Sequence, residues 1–252
     1  MSRKKKHPRW YFSLRSPYSW FAYRDLSERY PDVLDAIEWI PYWEPDAVSE
    51  KLLADQGVTL PVVPMSRAKN FYILRDARRW AHARGWQVTW PVDRAPHWEV
   101  SHLAYLAAEE AGRGREFVAA AYRARWHRGL DLAERGTITL IADELGLDPG
   151  IADSVDDDRL RAKGVECLAA AYHDDAFGVP YFVNGREGFW GAERVSAFVA
   201  SVRGTAWDGR SDAPFDRSSG DLAPDLSSAG RPSEDPSSAP AVAGARPEGA
   251  SR

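Results

Sequence analysis

The stretch YFSLRSPYSWFAY, residues 11–23, decides how this chain reads. An apolar run stops at Ser16-Pro17, and aromatic residues then recur at helical spacing. Pro17 suits the first position of a helix, where a missing N–H costs nothing, and Ser16 suits the N-cap before it. RWYFSL (9–14) is therefore expected to be a strand and YSWFAYRDLSERY (18–30) a helix. Ser-Pro-Tyr-Ser also has the spacing at which redox proteins carry Cys-x-x-Cys.

Outward from that stretch, AIEWIPY (36–42) alternates like a second strand. Residues 66–84, 99–111, 115–128, 137–145 and 158–174 then show helical spacing, with Gly85, Gly112 and Gly146 where helix-ending glycines belong and Thr137 as an N-cap. VPYFV (179–183), Asn184-Gly185 and EGFW (187–190) predict a hairpin with type I′ turn chemistry, and AERVSAFVASV a closing helix. Strand, helix, strand, a long helical stretch, hairpin and helix is the order of an α/β thioredoxin-like fold with an inserted all-helical domain. The expected boundaries are 8–62 and 166–204 for the two thioredoxin-like parts and 63–165 for the insertion. From 205 to 252 the chain turns to Ser, Ala, Pro, Gly and Asp, which cannot bury enough surface to offset chain entropy, so a disordered tail is expected.

At 252 residues and 44% apolar composition the chain has ample material for a core. A net charge of −4 speaks against nucleic acid as a partner, and the basic run RKKKH (3–7) reads as a solvated tail. No stretch reads as a signal-peptide core or a membrane span, so a cytoplasmic protein without a membrane partner is expected. Cys167 is the only cysteine; it lies in an apolar helical pattern and reads as a small buried hydrophobe. No dithiol couple and no cysteine zinc site can be built, so thiol chemistry needs a borrowed thiol. His97 and His102, five residues apart, do not share a helix face, and no metal is expected. Asp156 to Asp158 lack the pattern of a calcium loop and read as the charged start of a helix.

A helix that begins where a strand ends presents unpaired N–H groups and the positive end of its dipole, a setting that favours an anion. Ser16 is a plain N-cap in one reading; in the other its hydroxyl also steadies a bound thiolate. Val179-Pro180 opens a strand at a bond that can be cis, and such an edge can pair with a peptide-like ligand.

SPYSWFAY, KNFYILRDARRWAHARG (69–85) and GVPYFVNGREGFWGAERV together resemble the 2-hydroxychromene-2-carboxylate isomerase family and its relatives, the kappa-class glutathione transferases, within the DsbA-like thioredoxin superfamily. The resemblance spans residues 10–203, and the pattern Lys69, Tyr72, Asp76, Arg79-Trp80-Ala81, Gly85 is its most specific part. It implies glutathione or another low-molecular-weight thiol as cofactor, with Ser16 hydrogen-bonded to the sulfur and catalytic. Val179 and Pro180 are expected to pair with the tripeptide, and Trp190, Gly191, Ala192, Glu193 and Arg194 to hold its γ-glutamyl end. A surface ion pair is the other reading of Arg194. Lys69 and Tyr72, one turn apart, are expected to face a small-molecule substrate, a solvated helix charge being the other reading of Lys69, whereas Trp80 fits a core stripe. Glu99 stands where the family places a substrate-touching asparagine, which would disfavour an anionic substrate; His97, Trp98 and His102 flank it. The implied activity is a thiol-dependent isomerisation of a conjugated, aromatic small molecule. A transferase that leaves the thiol on an electrophile and a noncatalytic binding module are the alternatives, and the resemblance also implies a homodimer.

Overall fold

Trp10, Tyr11 and Phe12 are all fully buried, so strand β1 (Arg9–Phe12) has no face towards solvent. It pairs in parallel with β2 (Glu38–Pro41) and antiparallel with β3 (Tyr181–Asn184), which pairs antiparallel with β4 (Glu187–Trp190). The strand order is β2-β1-β3-β4 in this computed structural model, which describes residues 7–61, 66–210 and 212. The parallel step from β1 to β2 needs a crossover. Helix α1 (Pro17–Arg29) supplies it, followed by a short α2 (Pro31–Ala36).

Every described element between β2 and β3 is helical, among them α3 (Ala47–Asp55), α4 (Arg67–Ala83), α5 (Glu99–Glu110), α6 (Gly114–Tyr122), α7 (Arg135–Leu145) and α8 (Asp158–His173). One turn of π-helix, Arg123–His127, follows α6, and a 3-10 stretch, Pro149–Asp156, precedes α8. Helix α9 (Val195–Arg203) closes the fold. Trp10 and Phe12 point into the same core as Phe21, Leu103, Phe117, Ile141 and Phe198, so the inserted helices share one continuous core with the sheet. The expected boundary at 165/166 accordingly falls inside α8. On the other face, Tyr11 packs with Ile40, Ala171, Ala176, Tyr181 and Val183, and its hydroxyl donates to Asp174 at 2.5 Å.

Three local expectations shift. Asn184 pairs with Glu187, so the hairpin loop is Gly185-Arg186, and only Gly185 has a positive φ, at 64°. A single positive φ at the first loop position is the type II′ requirement, not that of type I′. Helix α7 starts at Arg135, which leaves Thr137 buried in its first turn and not at its cap. The described chain also runs beyond residue 204: the Trp207 indole donates to Ser196 Oγ at 3.2 Å, and the Asp212 carboxylate accepts the Ser196 N–H at 2.5 Å and pairs with Arg29 at 2.8 Å. The rest of the expected tail, and the basic run up to Lys6, lie outside the described residues. Among those described, no helix is long and apolar enough to cross a membrane.

Candidate functional site

The loop after β1, helix α4 and the segments around Asp93, Val179 and Trp190 enclose a cleft of about 1810 Å³. Ser16 stands at one wall. It caps α1 in the expected way, its Oγ accepting the Ser19 N–H at 3.3 Å, which leaves the hydroxyl proton to donate. Ser19 is fully buried and absent from the lining; its Oγ accepts the Ser13 N–H at 3.2 Å. Of the two serines in the motif, only Ser16 is therefore presented to a ligand.

Gly178, Val179 and Pro180 also line the cleft, and the Val179-Pro180 bond is cis. The β1–β3 ladder stops at Tyr181, and neither the N–H nor the carbonyl of Val179 takes part in a backbone hydrogen bond among the described residues. That is an edge prepared for a peptide-like partner. Beside it, the half-exposed Trp190 stands 5.0 Å from the Phe177 ring, and Gly191 adopts a φ of 104° that a side chain would resist. The Glu193 carboxylate folds back over Gly191 into the volume that a Cβ would occupy.

Helix α4 forms the opposite wall with Lys69, Tyr72, Asp76 and Arg79. Lys69 makes no ion pair among the described residues, so its charge is available to an anion. Tyr18, the third residue of Ser-Pro-Tyr-Ser, donates to Asp76 at 2.7 Å, and Asp76 accepts Arg79 at 2.7 Å. Burial and the Asp76 hydrogen bond push the Tyr18 phenol well up from its ordinary value, so it stays protonated, with its proton given to Asp76. Trp80 also touches the cleft but is 6% exposed and stacks on Phe21 at 5.4 Å, so it is chiefly core.

The loop between β1 and Ser16 is held from below by inserted helices. His102 Nε2 accepts the Leu14 N–H at 3.1 Å, its Nδ1 lies 2.7 Å from the Trp98 carbonyl, and the Tyr122 hydroxyl donates to the Ser13 carbonyl at 3.2 Å. These contacts assign the His102 proton to Nδ1, and burial lowers its pKa to about 3. Cys167 lies away from the cleft, and burial pushes its thiol up to about 12, far from a nucleophile.

Three expected site residues are elsewhere. Glu99 is 1% exposed and accepts the Asp46 N–H at 2.6 Å, fastening the start of α5 to the start of α3; it does not face the cleft. Its charge therefore gives no reason to disfavour an anionic substrate. Ala192 is fully buried in the 3-10 turn Ala192–Arg194, and that turn sends Arg194 over the Trp207 ring at 5.9 Å. Neither lines the cleft. Asp46, His97 and Glu99 bring potential metal-ligand atoms within 4.8 Å of one another. Both Asp46 oxygens, however, already accept Arg161 at 2.9 Å, and the group lies outside the cleft. Burial raises the Asp46 pKa, but the Ser49 N–H, His97 and Arg161 outweigh it and hold the carboxyl at about 2. Arg15, Asp93, Trp90 and Arg125 line the cleft without any local sequence signal to mark them.

The DSBA-like thioredoxin domain family matches residues 9–203. A 2-hydroxychromene-2-carboxylate isomerase from Sphingobium xenophagum is 26% identical over 190 residues, covering 73% of this chain and 92% of its own length. A solved 2-hydroxychromene-2-carboxylate isomerase superposes with a TM-score of 0.59 at 21% identity, over 78% of this chain and 94% of that one. A probable DsbA oxidoreductase from Streptomyces coelicolor gives a TM-score of 0.53 at 19% identity, over 78% and 88% of the two chains. At such identities the solved structures speak for the fold.

Proposed function

This chain belongs to the DSBA-like thioredoxin domain family, and from that premise we propose that it is a thiol-dependent isomerase of a conjugated, aromatic small molecule, using glutathione or a similar low-molecular-weight thiol. The observation that carries the reading is a juxtaposition. A capping serine whose hydroxyl proton has no acceptor among the described residues, and a backbone edge at Val179 unpaired among them, line one cleft in a chain with no cysteine pair.

The residues present fit such a thiol. Val179 offers one N–H and one carbonyl to a peptide backbone. Near Gly191, the Glu193 carboxylate suits an ammonium, as an amino-acid end of the ligand would carry. When bound, the thiol supplies a sulfur nucleophile that adds to a conjugated carbon and leaves again, so that a former double bond turns in between and no thiol is consumed.

The protein's part is to prepare the site. The N-terminus of α1 and the Ser16 hydroxyl lower the energy of a negatively charged sulfur. Lys69 neutralises an acidic group of the substrate, and Tyr72 offers it a ring and a hydroxyl; with both on one wall and Ser16 on another, substrate and sulfur meet across the cleft.

Calorimetric titration with reduced glutathione, and with S-methylglutathione as the non-ionising comparison, tests the reading. At pH near 7, reduced glutathione should bind with proton release, and Ser16→Ala should weaken it about tenfold or more, the scale of a hydrogen bond to a charged group. S-methylglutathione should lose far less. If neither ligand binds, the thiol assignment fails. A conjugated aromatic substrate that isomerises in the wild type without loss of thiol completes the test; steady thiol consumption would point to conjugation.

A further inference from the structure

Each of the three residues before Ser16 has a backbone group held by a side chain from the inserted helices. Tyr122 binds the Ser13 carbonyl, His102 the Leu14 N–H, and Arg125 Nε lies 3.4 Å from the Arg15 carbonyl as its donor. Arg125 stands out because it is a cation, is 4% exposed, and lines the same cleft as Ser16. Burying a guanidinium requires partners on all sides. It has them: Asp93 takes both terminal nitrogens, at 2.8 and 2.9 Å, and the Trp98 and Trp126 rings lie 5.2 and 4.9 Å from the guanidinium carbon. A second guanidinium, that of Arg15, is 5.3 Å from the Trp98 ring, so this indole contacts two cations.

The placement depends on the π-helical turn Arg123–His127 in which Arg125 lies; such turns re-aim side chains relative to a regular helix. The turn is also tied to the cleft wall: its Trp126 carbonyl accepts the Thr89 N–H at 2.8 Å, and Trp90 packs on the Trp126 ring at 5.5 Å. Arg125 thus joins two things: the loop that delivers Ser16, and the Thr89–Asp93 wall.

We propose that Arg125 is a positioning residue for the sulfur site: it fixes the backbone leading into Ser16, and its charge, partly offset by Asp93, favours a negative sulfur there. The inference rests on Ser16 being a sulfur site but not on which thiol is used. The other charged groups around the cleft are the pairs Arg15–Glu44 and Asp76–Arg79, together with Arg67, Lys69 and Glu193. Most are half-exposed or exposed; the buried Arg125 acts through less water and is screened least.

The test places a thiol at the site without any cofactor. In Ser16→Cys, thiolate absorbance and alkylation rate against pH report the field at that position, and Cys167 does not interfere because burial holds its thiol at about 12. The Ser16→Cys thiol should titrate below its ordinary value of about 8.5. Adding Arg125→Gln should raise its pKa by about one unit, adding Asp93→Asn should lower it by a similar amount, and Arg125→Lys should fall between, keeping the charge but not the planar fork. Opposite signs for the two partners are what a merely structural role would not produce. A pKa unchanged by both substitutions in folded protein overturns the proposal. If Arg125→Gln does not fold, Asp93→Asn decides alone: an unmoved or raised pKa overturns it. Failure of the wild type to bind glutathione would refute the proposed function and leave these titrations unmoved.

Discussion

Acid should unfold this protein through one imidazole before it reaches the carboxylates. His102 is fully buried, Leu14 donates its N–H to Nε2, and Nδ1–H donates to the Trp98 carbonyl, so a second ring proton would point at another donor. Burial accordingly lowers the pKa from 6.5 to about 3. In the unfolded chain the ring titrates normally, so between those two values the unfolded state binds one more proton than the native state. The contribution is whole above pH 6.5 and is lost as pH falls towards 3. Integrating that difference gives a loss of about 2.5 kcal/mol between pH 7 and pH 4.5. Asp46, held at about 2, adds its own loss only below its ordinary carboxylate value, outside this window. His102→Gln keeps an acceptor and donors but does not titrate. Urea unfolding of both proteins at pH 7 and 4.5 isolates the term, because all other groups are common to the two. The wild-type midpoint should fall by about 1 M more than that of the variant, for a slope of about 2 kcal/mol/M. Equal falls in the two proteins would refute the assignment of a buried neutral imidazole to this loop.

Gly164→Ala should destabilise despite the helix propensity gained, because a Cβ in α8 would lie 2.7 Å from Leu103 Cδ2 and 3.0 Å from the Trp43 ring; a net loss of about 1 kcal/mol is expected, and a raised melting temperature would contradict it. Asp212→Ala should cost about 1–2 kcal/mol in urea unfolding, since it strips a partner from the Ser196 N–H and from Arg29; an unchanged midpoint would mean that the Asp212 carboxylate adds nothing to the fold. Gly191→Ala should displace the Glu193 carboxylate and weaken glutathione by about tenfold with little effect on the melting temperature, and unchanged affinity would remove this corner from the site.

What could be read from sequence was local chemistry. Ser16-Pro17 predicts the start of α1 because capping is decided by neighbouring residues, and Gly85, Gly112 and Gly146 predict their helix ends because only their positive φ allows them. Helices α2 and α3 are too short to show a period, and a two-residue hairpin loop is placed by pairing register as much as by its Asn-Gly signal. The site divides in the same way. Ser16, Lys69, Tyr72, Val179, Pro180, Trp190, Gly191 and Glu193 line one cleft, whereas Glu99 is claimed by a backbone N–H 53 residues away, a contact that no pattern of neighbours reveals. Arg125 and Asp93 escape for the converse reason, since neither has meaning until the π-helical turn brings them together.

The field at the end of α1 bears on what the site is for. A helix N-terminus beside a buried guanidinium would strongly depress the pKa of a resident cysteine and make it a good leaving group, which is the logic of a dithiol catalyst. Here the resident side chain is serine, which carries no charge and gains little from the field. The desolvated Arg125 is compensated by Asp93, so its burial is tolerated without a ligand, but the α1 N-terminus and Lys69, without an ion pair among the described residues, still favour an anion at the cleft. With Cys167 half-buried, away from the cleft, and its thiol raised, no group of the described chain supplies a thiolate there. A sulfur anion brought by a ligand restores what the field acts on. The absence of a cysteine pair, taken with this electrostatic arrangement, is the ground on which a borrowed thiol is proposed over an inert copy of a redox fold.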